Sequence, residues 1–109
     1  MKEVKAYIKK HKLDRVLRAL RKISGLSGLS VIDSRGYGLG WGGDGADALT
    51  ESRSGVKLEI VCEEELVDQV VAAVEQAAHT GLKGDGKIYI GHIEQAVRIS
   101  TGERGKKAV

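Results

Sequence analysis

The chain has no phenylalanine, one tryptophan and three tyrosines among its 109 residues. Modules that read single-stranded RNA stack bases on aromatic side chains, and such platforms are largely missing here. A single cysteine, Cys62, excludes an internal disulfide, and its place in an apolar run points to a packed thiol rather than a nucleophile. His11, His79 and His92 are scattered, so no metal site assembles from sequence. No apolar stretch is long enough to span a bilayer, and the charged start "MKEVKAYIKK" lacks a signal-peptide core. The expectation is a soluble, cytoplasmic chain that touches a membrane only indirectly, through a partner. The formal net charge of +3 is modest and the basic residues are spread out, which argues against nucleic acid as the main partner.

What is present fits one domain with a real core. "EVKAYIKK" alternates as a strand, and Leu13, Val16, Leu17, Leu20 and Ile23 then recur at helical spacing after a polar turn. "LSVIDS" reads as a second strand. Residues 35–55 are glycine-rich and aperiodic, a long loop of the kind that serves recognition. Its G-x-G-x-x-G at Gly38, Gly40 and Gly43 opens no convincing helix, so a dinucleotide fold is rejected. "VKLEIVC" is a third strand. Glu63, Glu64 and Glu65 favour the start of a helix whose buried stripe is Leu66, Val67, Val70, Val71, Val74 and Ala78, and His79 suits its C-terminal dipole. "KIYIGHI" and a last short strand around "QAVRIS" follow, before a polar tail. The order β-α-β-β-α-β predicts a ferredoxin-like α/β (α+β) sandwich, an antiparallel sheet with two helices on one face.

The stretch "GLKGDGKIYI", residues 81–90, satisfies G-x-x-x-x-G-K, the skeleton of a phosphate-cradling loop. Ile88 stands where that motif needs Ser or Thr, and the loop leads into a strand rather than a helix, so the nucleotide-hydrolase motif fails on context. What remains is a glycine turn whose amides can gather on an anion beside Lys83 and Lys87, or a plain helix-to-strand turn using glycine for positive φ. Asp85 has no second carboxylate or histidine fixed beside it by sequence, and a turn-capping role suits it better than acid-base chemistry.

Taken in order, "MKEVKAYIKKHKLDRVLRAL", "GLSGLSV" leading to "RGYG", "VKLEIV", "TGLKGDGKIYI" and "VRISTGE" resemble the PII signal-transduction proteins over nearly the whole chain. The resemblance implies a compact homotrimer, a single domain over 1–109, and three loops: a T-loop at about 38–55, a B-loop at about 80–87 and a C-loop at about 98–104. It implies an adenine nucleotide (ADP, AMP or ATP, the last with possible Mg²⁺) as regulatory ligand in clefts between subunits, with no catalytic cofactor and no resident metal. Gly84, Asp85, Gly86 and Lys87 would wrap its phosphates, and Gly36, Tyr37 and Gly38 would line the same cleft. Gly28, Leu29, Ser30, Val61 and Arg98 would reach it from a neighbour, with Ser100 beside Arg98. The T-loop, through Leu39, Trp41, Asp44 and Arg53, would engage a target protein, a transporter or metabolic enzyme.

The sequence also departs from that family. Its T-loop is shorter by about four residues and holds no tyrosine between Gly38 and Gly55. Members that sense 2-oxoglutarate place a glutamine and a lysine where this chain has Gly40 and Gly55, so that ligand is not expected. Many members carry R-x-R where Arg98 is here followed by Ser100, so one phosphate-directed charge is missing. A regulator of inorganic-carbon (bicarbonate) metabolism or carboxysome function is an alternative within the family. A small acylphosphatase-like or nucleotide-hydrolysing enzyme is the alternative of another class, since fold alone does not fix function.

Overall fold

The computed structural model describes residues 1–37 and 52–109. Four strands, β1 (Lys2–Ile8), β2 (Ser30–Tyr37), β3 (Ser52–Cys62) and β4 (Gly86–His92), and two helices, α1 (Leu13–Arg21) and α2 (Val67–Ala78), follow the order β1-α1-β2-β3-α2-β4. They form one antiparallel sheet in the order β2-β3-β1-β4. Each helix therefore bridges two strands that lie on either side of a third, and this crossover lays both helices on one face of the sheet. The ferredoxin-like architecture expected from the sequence is the architecture observed.

Alternation in the central strands decides which face is covered. Val4, Ala6 and Ile8 of β1 and Val56, Leu58, Ile60 and Cys62 of β3 are buried under the helices. They meet Val16 and Leu20 of α1 and Val67, Val70, Val74, Ala77 and Ala78 of α2 in one cluster. Full burial of a Val or Leu side chain stabilises by about 1.5 to 3 kcal/mol, so this cluster is what holds the sheet and the helices together. Cys62 belongs to it at 2% exposure, and burial pushes its thiol pKa up, so it is a packing residue.

The opposite face of the sheet is uncovered. Tyr7 and Tyr89 meet edge to face there with ring centroids 6.1 Å apart, and the Lys57 ammonium lies 5.9 Å from the Tyr7 ring. Charge pairs lie beside them, Lys57 to Glu59 at 3.1 Å and Lys5 to Glu3 at 3.2 Å.

Two expectations need correction. "QAVRIS" makes no strand: Val97 forms an isolated bridge to Arg104, and Ile99 is fully exposed. The aperiodic loop is also shorter than the sequence implies. Arg35, Gly36 and Tyr37 pair with Ser54, Arg53 and Ser52 in a continuation of the β2–β3 ladder, carried by backbone hydrogen bonds that need no apolar alternation. The polar turn after β1 is a 3-10 turn over Lys10–Lys12.

Candidate functional site

α2 ends at Ala78, where His79 leaves helical geometry at ψ 130°, and a tight loop carries the chain into β4. Asp85 organises that loop. Its carboxylate accepts the N–H of Thr80 at 2.8 Å, the N–H of Gly81 at 3.3 Å and the Thr80 hydroxyl. The Lys9 ammonium lies 3.2 Å from the same carboxylate and donates to Thr80 Oγ1 at 3.3 Å, while that oxygen also accepts the Leu82 N–H at 3.0 Å. His79 Nδ1 stands 3.6 Å from Asp85. The hydrogen bonds from Thr80, then the charge of Lys9, hold the Asp85 carboxyl well below the usual carboxylate range. Asp85 is thus turned into its own loop, in the capping role read from the sequence, and the N–H groups of Lys83 and Gly84 stay outside this network.

Glycine is required at Gly86, where φ is +104° and a Cβ would overlap the Tyr7 carbonyl oxygen. Gly84, at φ +83°, lies under Arg53, whose Nη1 would be 3.2 Å from a Cβ at that position. The loop therefore presses against β1 on one side and against the β2–β3 hairpin on the other.

Between these elements lies a cavity of about 530 Å³, lined by Gly84 and Gly86 of the loop, Gly36 of β2, Arg53 of β3, and Lys9, Lys10 and His11 after β1. A second, of about 420 Å³, lies against α2 and is lined by His79, Asp85, Gly86 and Lys87. Basic side chains and exposed backbone beside a glycine turn are what an anionic ligand needs.

The site residues expected from sequence fall into two groups within one chain. Gly36, Gly84 and Gly86 share the larger cavity, and Asp85, Gly86 and Lys87 the second. Tyr37 ends β2 with half its surface exposed, and Arg53, expected in the partner-binding loop, belongs to β3 and lines the larger cavity. Gly28 and Leu29 instead line a third cavity with Leu17 and Arg21. Ser30 opens β2, and Val61 sits opposite Glu3 in the β1–β3 ladder. Arg98 and Ser100 are exposed near the C-terminus, with Arg98 Nε 3.9 Å from Glu103. Gly38, Leu39, Trp41 and Asp44 lie outside the described residues. No cluster of His, Cys, Asp and Glu suited to a metal occurs among the described residues, and no helix among them is long and apolar enough to cross a membrane. Sequence reading missed Lys9, Lys10 and His11. Their signal was the basic run "KKHK" directly after a strand, which reads locally as a polar turn.

Residues 1–103 match the family model described as nitrogen regulatory protein P-II. The chain is 42% identical to the nitrogen regulatory protein P-II of Azospirillum brasilense and 45% identical to that of Rhodobacter capsulatus. Each alignment spans 113 positions and covers both chains completely. Among solved structures it is similar to Arabidopsis thaliana PII bound to citrate, with a TM-score of 0.83 and 34% identity over 99% of this chain and 91% of that one.

Proposed function

The chain belongs to the nitrogen regulatory protein P-II family, whose members are signal-transduction regulators, and we propose that it regulates a partner protein by binding an adenine nucleotide at the loop spanning 80–87. The observation that carries this reading is the Asp85-braced glycine loop, whose hydrogen bonds run through Thr80, Gly81 and Leu82 and, among the described residues, take up no N–H of Lys83 or Gly84, with Lys87 directly beyond it in sequence. Phosphate recognition needs that combination of close amide approach and a charge-assisted contact.

The active form is a homotrimer. The uncovered sheet face with Tyr7 and Tyr89, and the separation of Gly28, Leu29, Val61, Arg98 and Ser100 from the loop in one chain, both support a site completed by a neighbouring subunit. The segment after Tyr37, through Leu39, Trp41 and Asp44, engages the target together with Arg53 of β3. Nucleotide contacts at the hairpin's base then favour those loop conformations that fit that target. The alignments span four positions more than this chain has residues, which supports a shortened loop. A Gly55 that abuts the Ile8 carbonyl leaves no room for a lysine there, which favours an effector other than 2-oxoglutarate, with inorganic carbon as the second reading.

The test is calorimetry with ADP on the wild type and on Lys87→Ala. Loss of a hydrogen bond to a charged group should weaken binding by ~1.5 to 3 kcal/mol. Unchanged affinity in the folded variant would refute the assignment.

A further inference from the structure

The face that carries the helices is divided by charge. α1 and the residue after it present Arg15, Arg18, Arg21 and Lys22 to solvent against a single exposed acid, Asp14. α2 packs beside α1 and, with the 3-10 turn that leads into it, presents Glu64, Glu65, Asp68 and Glu75. No basic residue occurs from Glu63 to Ala78. Glu64 pairs with Lys2 at 3.7 Å, and Arg18 Nε donates to the Asp14 carbonyl oxygen at 3.4 Å, but among the described residues no ion pair joins one helix to the other. The helices cover the side of the sheet opposite to Tyr7 and Tyr89, so this face is separate from the open sheet surface.

Such a pattern restricts the partner. An anionic membrane or a nucleic-acid backbone is uniformly negative, so what it gains over α1 it loses over α2. Insertion into lipid is excluded as well, because Val16 and Leu20 on the apolar side of α1 are buried in the core. The surface that fits is bipolar, acidic over α1 and basic over α2. This chain carries such a surface itself. For two helices side by side, a two-fold axis running along them sets α1 of one copy over α2 of the other, whereas an axis across them sets like charge on like. α1 and α2 run in opposite senses, since the strands they follow, β1 and β3, are antiparallel. The end of α1 with Arg18 and Arg21 then meets the start of α2 with Glu65 and Asp68.

We propose that two copies of this chain pair through their helical faces about a two-fold axis along the helices, the basic row of each α1 against the acidic row of the other's α2. Helices of 9 and 12 residues extend about 14 and 18 Å, so the contact is small. Its ion pairs are exposed and individually weak, which makes the pairing reversible and dependent on salt.

The test is sedimentation velocity of the full chain over a range of protein concentrations, at about 20 mM and about 500 mM salt. The wild type should associate beyond its basal assembly at low salt and return to it at high salt. Arg18→Glu/Arg21→Glu leaves acid facing acid, and Glu65→Lys/Asp68→Lys leaves base facing base. Each variant alone should need at least about tenfold more protein to associate, while the two mixed, one of them fluorescently labelled, should recover the wild-type midpoint. A wild type that stays at its basal assembly in low salt, association that persists in high salt, variants that associate like the wild type, or a mixture that stays apart would each overturn the pairing. A DNA duplex of about 20 base pairs and phosphatidylglycerol vesicles stand for the other occupants. Binding of either by a wild type that does not self-associate, lost in Arg18→Glu/Arg21→Glu, assigns the face to a polyanion and overturns the pairing too. All four substituted positions are exposed. The neutral variants Arg18→Gln/Arg21→Gln and Glu65→Gln/Asp68→Asn repeat the comparison of midpoints should a reversal fail to fold.

Discussion

Asp85 accepts the backbone N–H of Thr80 at 2.8 Å, so the residue just before the strand β4 fastens the second residue past the end of α2. Lys9, from the end of β1, lies 3.2 Å from that carboxylate and ties the closed loop to the sheet. The glycine loop is therefore held by a charge-assisted core of Thr80, Asp85 and Lys9. Preorganisation of this kind lowers the ordering entropy that a flexible glycine loop loses on binding.

This brace titrates. The folded-state pKa of Asp85 is depressed, chiefly by the hydrogen bonds from Thr80, relative to an ordinary aspartate value of about 3.9. A depressed carboxyl contributes stability that is fully present above the unfolded-state pKa and is lost as pH falls toward the folded one. Denaturant titrations from neutral pH to pH ~2 should therefore show wild-type stability declining below about pH 4, with a shallower decline in Asp85→Asn. Parallel curves for the two proteins would remove Asp85 from the acid response.

Gly86→Ala tests the contact with β1. The added methyl would overlap the Tyr7 carbonyl oxygen, and φ +104° is strained for any L side chain. Overpacking and backbone strain each amount to about 1 to 3 kcal/mol, so urea denaturation at fixed protein concentration should show a loss of about 2 kcal/mol or more. A change within experimental error would mean that β4 slides away from β1 without penalty. Gly28→Ala is the control, because nothing lies within 4 Å of a Cβ there.

Particular residues show what a single sequence carried and what it did not. Val4, Ala6 and Ile8 alternate, and Val16 and Leu20 recur at helical spacing, because burial acts on each element separately, and so the layers were legible. The Asp85 cap was legible because an aspartate between glycines has donors within a few residues. Lys9, Lys10 and His11 were not, since only the pairing of Ile8 with Gly86 brings them to the loop, and strand register depends on residues far apart in sequence. "QAVRIS" shows the opposite failure. Val97 and Ile99 alternate like a strand, yet no strand among the described residues offers a ladder and Ile99 stays exposed.

Ser100 tests the reading of phosphate number. Where an R-x-R would supply two guanidinium groups, this chain offers Arg98 and a hydroxyl, so ATP should gain least from the site. Ser100→Arg should improve ATP affinity by about tenfold and leave AMP unchanged, as read by parallel calorimetric titrations. Equal gains for AMP and ATP would show that the new charge acts on the whole protein's field rather than on the distal phosphates.

Binding of 2-oxoglutarate turns on Gly55. A Cβ at Gly55 would lie 2.9 Å from the Ile8 carbonyl oxygen, because β3 and β1 pair at Val56 and Ile8 directly beside it. No L side chain fits there unless one strand shifts, so a lysine cannot simply be restored. Gly40 offers no side chain at the other end of the segment either. Basic side chains line the cavity beside Gly55, but without side chains at Gly40 and Gly55 a keto-dicarboxylate lacks the directed donors that would replace its water, and Mg²⁺ with nucleotide phosphates would have to hold it without a lysine at that position. Calorimetry with saturating ATP and Mg²⁺ should therefore show no micromolar binding of 2-oxoglutarate. Gly55→Lys should not create it, and should instead destabilise the chain by about 1 to 3 kcal/mol through the clash with Ile8. Micromolar binding to the wild type would overturn the prediction, and tight binding to a fully stable Gly55→Lys would show that the β1–β3 contact yields more readily than its geometry implies.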